Sequence, residues 1–431
     1  MKKIMMRLAV PALALALGCG LFAGCAPEKT QEGDAPWMED GVLKILTIGN
    51  SFSDDTMEYV WNIADSLGVE DIYLGNLYIG GCTLDTHAFN ARGNYTAYDY
   101  RVNTEGTWET ERARMGDALA AQEWDFVSLQ QASGSSGMPD TYGELDYLLG
   151  YIAEKAPSAK IVWNMTWAYQ QNSNHWDFPK YQNDQQTMYN KIVQTVQDLI
   201  VPNEKISAII PNGTAIQNAR TSYVGDTLTR DGYHLTLDFG RYIAGLTLVR
   251  ALTGLSVAEC GFAPAGMSAE YRAIAVESAE NAVKTPFAVT QSAYREKTPF
   301  DTEGYVLLDL ELTAFSYYNS DSEWDTLITW ASNGKNFFAS KIFTREELPV
   351  GSVILIEAGW QYRPEGWEAD PSAHVRPGNV STERVDVTEE WWGSYQTRAF
   401  NISKQPAESL EGQEEAAKNA LKVYVPEEAK A

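Results

Sequence analysis

Ser51 ends the run Leu43-Lys44-Ile45-Leu46-Thr47-Ile48-Gly49-Asn50-Ser51, which is apolar and β-branched until it breaks at Gly49-Asn50. The amphipathic stretch Met57 to Leu67 follows, so the segment reads as strand, tight turn and helix. A hydroxyl at such a turn sits among free backbone N–H groups at the positive end of a helix dipole, which favours a developing oxyanion. Serines at strand-to-helix turns serve as nucleophiles in α/β hydrolases. The same residues also fit a serine that only caps a helix at Asp54 or Asp55. Ester chemistry on a serine needs a base to take its proton and an acid to orient that base. The chain has 4 His, and His234 is the one set beside a carboxylate on a loop near a sheet end, in Asp231-Gly232-Tyr233-His234. Asp-x-x-His is also a common helix cap, and a structural histidine fits the same spacing.

The elements around these residues alternate. Asp71 to Tyr78 reads as a second strand, running into Gly80-Gly81, where paired glycines allow close backbone approach. Residues 88 to 106 read as a surface loop or small hairpin and Thr107 to Gln122 as a helix. Further strands are expected at Trp124 to Gln130, Lys160 to Met165 and Ile206 to Ile210. Helices are expected at Tyr142 to Lys155, Tyr181 to Ile200 and Asp238 to Leu252. This rhythm argues a doubly wound parallel sheet, whose ligands bind at the carboxyl ends of strands. From Gly304 the period changes. Gly304 to Leu312, Thr326 to Ala331, Phe337 to Phe343, Ser352 to Ala358, Arg384 to Val387 and Tyr395 to Ile402 read as strands of an all-β sandwich.

Composition narrows the partners. A net charge of −25 argues against nucleic acid. Lys2, Lys3 and Arg7 precede the apolar Leu8 to Leu17, and Leu21-Phe22-Ala23-Gly24-Cys25 ends the segment. Small residues before a cysteine resemble a bacterial lipobox, which implies cleavage before Cys25 and lipidation of its thiol; Cys19 is a second candidate and a simple secretory signal the alternative. Cys82 and Cys260 are then the remaining cysteines, expected as two buried thiols, and no cofactor or metal is expected. The 13 Trp and 23 Tyr include Trp360, Trp367, Trp391 and Trp392 in the β region, where they either form a glycan surface or pack the sandwich. His175 and His374 read as surface residues. The expected division is a signal peptide at 1–24, a tether at 25–41, a hydrolase domain at 42–260, a helical transition at 261–300, a β-sandwich at 301–405 and an acidic tail at 406–431.

Ile48-Gly49-Asn50-Ser51-Phe52-Ser53 resembles the first block of the SGNH (GDSL-like) hydrolase superfamily. Gly81 resembles its second-block glycine and Asp231-x-x-His234 its last block, in the family's order. The resemblance implies a flavodoxin-like three-layer α/β/α sandwich. It implies Ser51 as nucleophile, His234 as base and then acid, Asp231 as orienting carboxylate, and the N–H groups of Ser51 and Gly81 as oxyanion donors. One block departs: Leu129-Gln130-Gln131-Ala132-Ser133 stands where the family has Gly-x-Asn. A glutamine amide can donate the same bond, and sialate-type acetylesterases of the superfamily place Gln near this point. Gln130 is therefore expected as third donor, with Gln131 second. Gly80-Gly81-Cys82-x-Leu84-x-x-His87 is similar to a poorly characterised branch of exported bacterial proteins, in which His87 lines the pocket or holds a structural hydrogen bond. Gln131, His87 and Trp167 are the expected substrate-binding residues. The implied function is a serine esterase, lipid-anchored on the outer face of a bacterial cell membrane, that removes acyl groups, acetyl first, from an acylated glycan or other small ester. The alternatives are a lipase or thioesterase, and a lipid-anchored glycan-binding protein with an inactive hydrolase domain.

Overall fold

Val42–Gly49 (β1) is buried along nearly its whole length, and the sheet grows from it to both sides. It pairs in parallel with Asp71–Tyr78 (β2) and with Phe126–Leu129 (β5), beyond which Lys160–Asn164 (β6) and Ile206–Ile210 (β7) continue in parallel. Tyr98–Asn103 (β3) and Trp108–Ala113 (β4) form an antiparallel hairpin outside β2. The strand order is β4-β3-β2-β1-β5-β6-β7. Taken alone, the parallel strands run 2-1-3-4-5, the flavodoxin-like order, whose switch point flanks β1. Helices Val60–Ser66 (α2), Phe239–Thr253 (α8) and Ala269–Lys284 (α9) pack as one group, and Leu84–Gly93 (α3), Met115–Ala120 (α4) and Leu145–Lys155 (α5) as another. Both bury apolar side chains in the core that includes Leu43, Ile45, Leu46 and Ile48 of β1. This is the expected mixed α/β fold with a mostly parallel central sheet flanked by helices.

The computed structural model describes residues 41–265, 267–297, 299–310, 314–318, 336–357, 360–363, 384–404 and 413–430. The signal and tether with Cys19 and Cys25, the strand expected at 326–331, Trp367 and His374 lie outside the described residues. Two four-stranded antiparallel sheets follow the α/β body, both contributing to one cluster that includes Phe343, Phe400, Ile354 and Val423. Trp360 and Trp392 are buried in it, and Trp391 donates to the Tyr362 hydroxyl at 3.1 Å, so these aromatics pack the sandwich. Both Cys82 and Cys260 are buried free thiols.

Three local expectations are corrected. Residues 107–113 are not helical, because β4 is an exposed edge strand whose Glu and Thr side chains give no apolar alternation. Residues 84–93 form a helix where a loop was expected from residue 88. Its buried face is Leu84, His87, Ala88 and Ala91, a helical spacing disguised by a histidine in a core position. Thr83 caps it by accepting from the Thr86 N–H. The acidic tail contains Leu421–Pro426, a strand between Val353–Ile356 and Tyr305–Leu307, with Leu421, Val423 and Val425 turned inward.

Candidate active site

Ser51 is the first residue of the helix Ser51–Met57 (α1), directly after β1. Asn50 caps that helix, its Oδ1 accepting from the Phe52 N–H at 3.0 Å. The turn is held down by Phe52, buried and stacked on Trp167 with ring centroids 4.2 Å apart. Burying such a ring stabilises by about 1.5–3 kcal/mol, and the stacking adds about 0.5–1.5 kcal/mol. Gly49 lets the chain turn so tightly: a Cβ there would lie 2.8 Å from Ser53 and 3.1 Å from Gln130.

The structure brings Ser51, His234 and Asp231 together. Nε2 of His234 lies 2.7 Å from Ser51 Oγ, and Nδ1 lies 2.7 Å from Asp231 Oδ2. Asp231 Oδ1 accepts from the backbone N–H of His234 at 2.8 Å and of Tyr233 at 3.3 Å, so one carboxylate orients ring and loop together. Burial pushes the Asp231 carboxyl up, but the bonds and charge of His234 outweigh it and hold the group below its ordinary range. A cleft of about 390 Å³ opens here, within the size range of small-molecule sites. Ser51, Gly80, Gly81, Ser133, Gly134 and His234 all line it. The first-turn N–H of Ser51 lies outside the ladder of its helix. Gly81, at φ +63°, lies on the turn after β2, with open space where a Cβ would stand. Ser51 and Gly81 both line the cleft.

Gln130 is placed differently from its expected role. It is buried and does not line the cleft. Its Nε2 donates to Asn50 Oδ1 at 3.1 Å, and its Oε1 accepts from Asn164 Nδ2 at 2.9 Å. Asn164 Oδ1 in turn accepts from Asn212 Nδ2 at 2.9 Å, and Asn50 Nδ2 donates to the Cys82 carbonyl at 3.1 Å. The direction of this row is set at Asn50, whose Oδ1 must accept because the Phe52 backbone can only donate. Gln130 therefore supports Asn50, which ties the Ser51 turn to the segment carrying Gly81. Gln131 is also buried: its Oε1 accepts from the N–H groups of Leu84 and Ala132, and its Nε2 donates to the Thr141 carbonyl. His87 is fully buried, 2.9 Å from the Tyr98 hydroxyl, and burial pushes its imidazole down to about 3. Trp167 lies behind Phe52 and donates to the Tyr233 carbonyl at 2.8 Å. Gln131, His87 and Trp167 thus hold the walls and are absent from the cleft's lining. Gln131 and Trp167 follow strand ends and His87 lies on α3, and only packing shows which way each faces.

Other residues went unrecognised in the sequence. Asp55, fully buried one turn beyond Ser51, accepts from Arg230 Nη1 at 3.0 Å, Arg241 Nε at 2.8 Å and the Leu235 N–H at 2.8 Å. It fastens the loop bearing Asp231 and His234 to the helix bearing Ser51. Asp-Asp in a first helical turn signals only a dipole preference, so nothing local marks it. His175, read as a surface residue, is 8% exposed, against Tyr169 and Tyr233.

Asp54 also lines the cleft, bonded to Asn76 at 2.6 Å and paired with Arg101. Burial pushes its carboxyl from 3.8 up to about 6, against the pull of Arg101. The folded state therefore keeps this proton longer than the unfolded chain. The group's contribution to stability is full below its unfolded pKa and lost as pH rises through about 6. Asp54→Asn, which cannot ionise, is expected to lose less stability than wild type between about pH 4.5 and pH 7.5, read as the urea midpoint at each pH.

None of the curated proteins matches the chain. Among solved structures, a DUF4886 family protein from Bacteroides uniformis is 41% identical, with a TM-score of 0.57 over 59% of this chain and 100% of that one. A protein from Slackia heliotrinireducens, provisionally described as an SGNH hydrolase, is 21% identical over 49% of this chain and 99% of its own, with a TM-score of 0.33. A mutant of an acetyl-xylooligosaccharide esterase from Geobacillus is 16% identical over 49% and 94%, also at 0.33. The last two likenesses are too distant to speak for activity. The family model described as a domain of unknown function, DUF4886, matches residues 44–282. With that match and the identity to the Bacteroides uniformis protein over its whole length, the chain belongs to the DUF4886 family.

Proposed function

We propose that the protein is a serine esterase of the SGNH type that removes acyl groups, acetyl first, from carbohydrate hydroxyls. The observation that carries this is the continuous hydrogen-bonded line from Ser51 Oγ through both nitrogens of His234 to Asp231. His234 Nε2 takes the Ser51 proton as Oγ attacks the ester carbonyl. The tetrahedral oxyanion is met by the N–H groups of Ser51 and Gly81. His234 then gives its proton to the departing sugar oxygen, leaving an acyl-Ser51. Water, deprotonated by the same nitrogen, attacks that acyl group; the carboxylic acid leaves and Ser51 recovers its proton. Asp54, Asp177, Arg230 and Arg241 along the cleft suit a hydroxyl-rich substrate better than a long acyl chain. Attachment to the outer face of a cell membrane through Cys25 belongs to the same proposal and rests on the N-terminal sequence. The test is acetate release from acetylated oligosaccharides by wild type and Ser51→Ala. Loss of the nucleophile is expected to lower the rate by about 10⁴-fold or more, and equal rates would overturn the proposal.

A further inference from the structure

Trp176 is 79% exposed, more than any other large apolar side chain among the described residues, and it lines the cleft that contains Ser51. It is not loosely held. Its indole stacks on the His175 ring with centroids 4.0 Å apart and planes 27° from parallel. His175 meets Tyr233 edge-on at 4.6 Å, and Tyr233 lies 4.2 Å from the ring of His234. A ladder of rings thus runs from the catalytic imidazole to an indole with one face open to water. The rung beneath that indole is fixed: His175 Nδ1 accepts from the Asp177 N–H at 3.1 Å, and Asp177 pairs with Lys180 at 2.5 Å. Burial holds the His175 imidazole below its ordinary value.

An open aromatic face lining the same cleft as carboxylates and guanidinium groups makes a mixed surface. An alkyl chain gains nothing from Asp54, Asp177 or Arg230, and a small acyl group does not extend to the rim. A pyranose uses both kinds of surface. Its C–H face packs on a π system, and its equatorial hydroxyls point outward to polar partners.

We propose that Trp176 is a sugar-binding platform, stacking the ring next to the one that carries the ester and thereby setting preference for oligosaccharide over simple esters. This rests on the carbohydrate esterase reading. Trp176 is linked to the triad through the rings of His175 and Tyr233, and its contribution is binding energy from a remote part of the substrate.

The test compares wild type, Trp176→Ala and Trp176→Phe on acetylated gluco-, xylo- and mannotetraoses and on 4-nitrophenyl acetate. The readout is the ratio of kcat/KM on the tetraoses to kcat/KM on 4-nitrophenyl acetate. Trp176→Ala is expected to lower this ratio by about tenfold or more, chiefly through KM on the tetraoses, and Trp176→Phe to restore much of it. A ratio within about twofold of wild type in Trp176→Ala would overturn the proposal. Calorimetric titration of the same acetylated tetraoses into Ser51→Ala, with and without Trp176→Ala, reads binding without turnover. Binding by Ser51→Ala that the second substitution weakens supports the platform even if no tetraose is hydrolysed, in which case the esterase reading fails by itself. Absence of binding in both, or equal binding in both, overturns the platform while leaving hydrolysis of simple esters intact.

Discussion

Asp231→Asn is expected to lower kcat for ester hydrolysis by about 10⁴-fold, with KM within severalfold of wild type and the fold preserved. The substitution keeps one oxygen, which can still accept from the backbone N–H groups of Tyr233 and His234 that hold the loop. What changes is the group facing His234 Nδ1 at 2.7 Å. An amide NH₂ there donates instead of accepting, so the imidazole keeps its proton on Nε2 and has no lone pair for Ser51. Asp231 is 39% exposed, and water screens part of its charge. The tautomer effect does not depend on that screening, and it is the larger of the two. Steady-state kinetics with a thermal melt on the same samples separates a chemical effect from unfolding. A loss smaller than about 100-fold would mean that the carboxylate does not orient the base.

Asp55→Ala is expected to cost about 3–5 kcal/mol of stability and to lower activity beyond what the unfolded fraction explains. Two guanidinium groups and one backbone N–H converge on this fully buried carboxylate. Its removal leaves Arg230 and the Leu235 N–H without that partner and leaves Arg241 with Glu58 at 3.0 Å. His234 sits between Arg230 and Leu235, so the base loses its register against Ser51. Asp55→Asn retains an acceptor for Leu235 and should fall between wild type and Asp55→Ala. Urea unfolding gives the stability, and kcat measured well below the midpoint gives the activity. A change of less than about 1 kcal/mol in Asp55→Ala would show that the arginines find other partners.

The contrast between these two aspartates shows what a sequence discloses. Asp231 lies three residues before the histidine it orients, so its role is visible in a local motif. The partners of Asp55 lie 175, 180 and 186 residues further along, and a pair of acids at a helix start gives no hint of them. The parallel sheet was legible because its buried strands are apolar runs bounded by turn residues. The outer strand β4 of the β3–β4 hairpin was not, because an exposed edge strand needs no apolar alternation. Gln130 was correctly marked as unusual at its position but not for the direction it faces. That direction is set by its bonded neighbours, Asn50 just after β1 and Asn164 at the end of β6, which no spacing along the chain reveals.

The row of amides from Asn212 to Asn50 has a consequence for how these positions can change. Gln130 and Asn164 each donate to one amide neighbour and accept from another, so replacing either by an apolar residue strands two polar groups in the buried interior. Such a step is costly alone and far cheaper when an adjoining position is exchanged with it. The four residues should therefore behave as one inherited block, altered together or not at all, although three of them, Gln130, Asn164 and Asn212, lie outside the lining of the cleft.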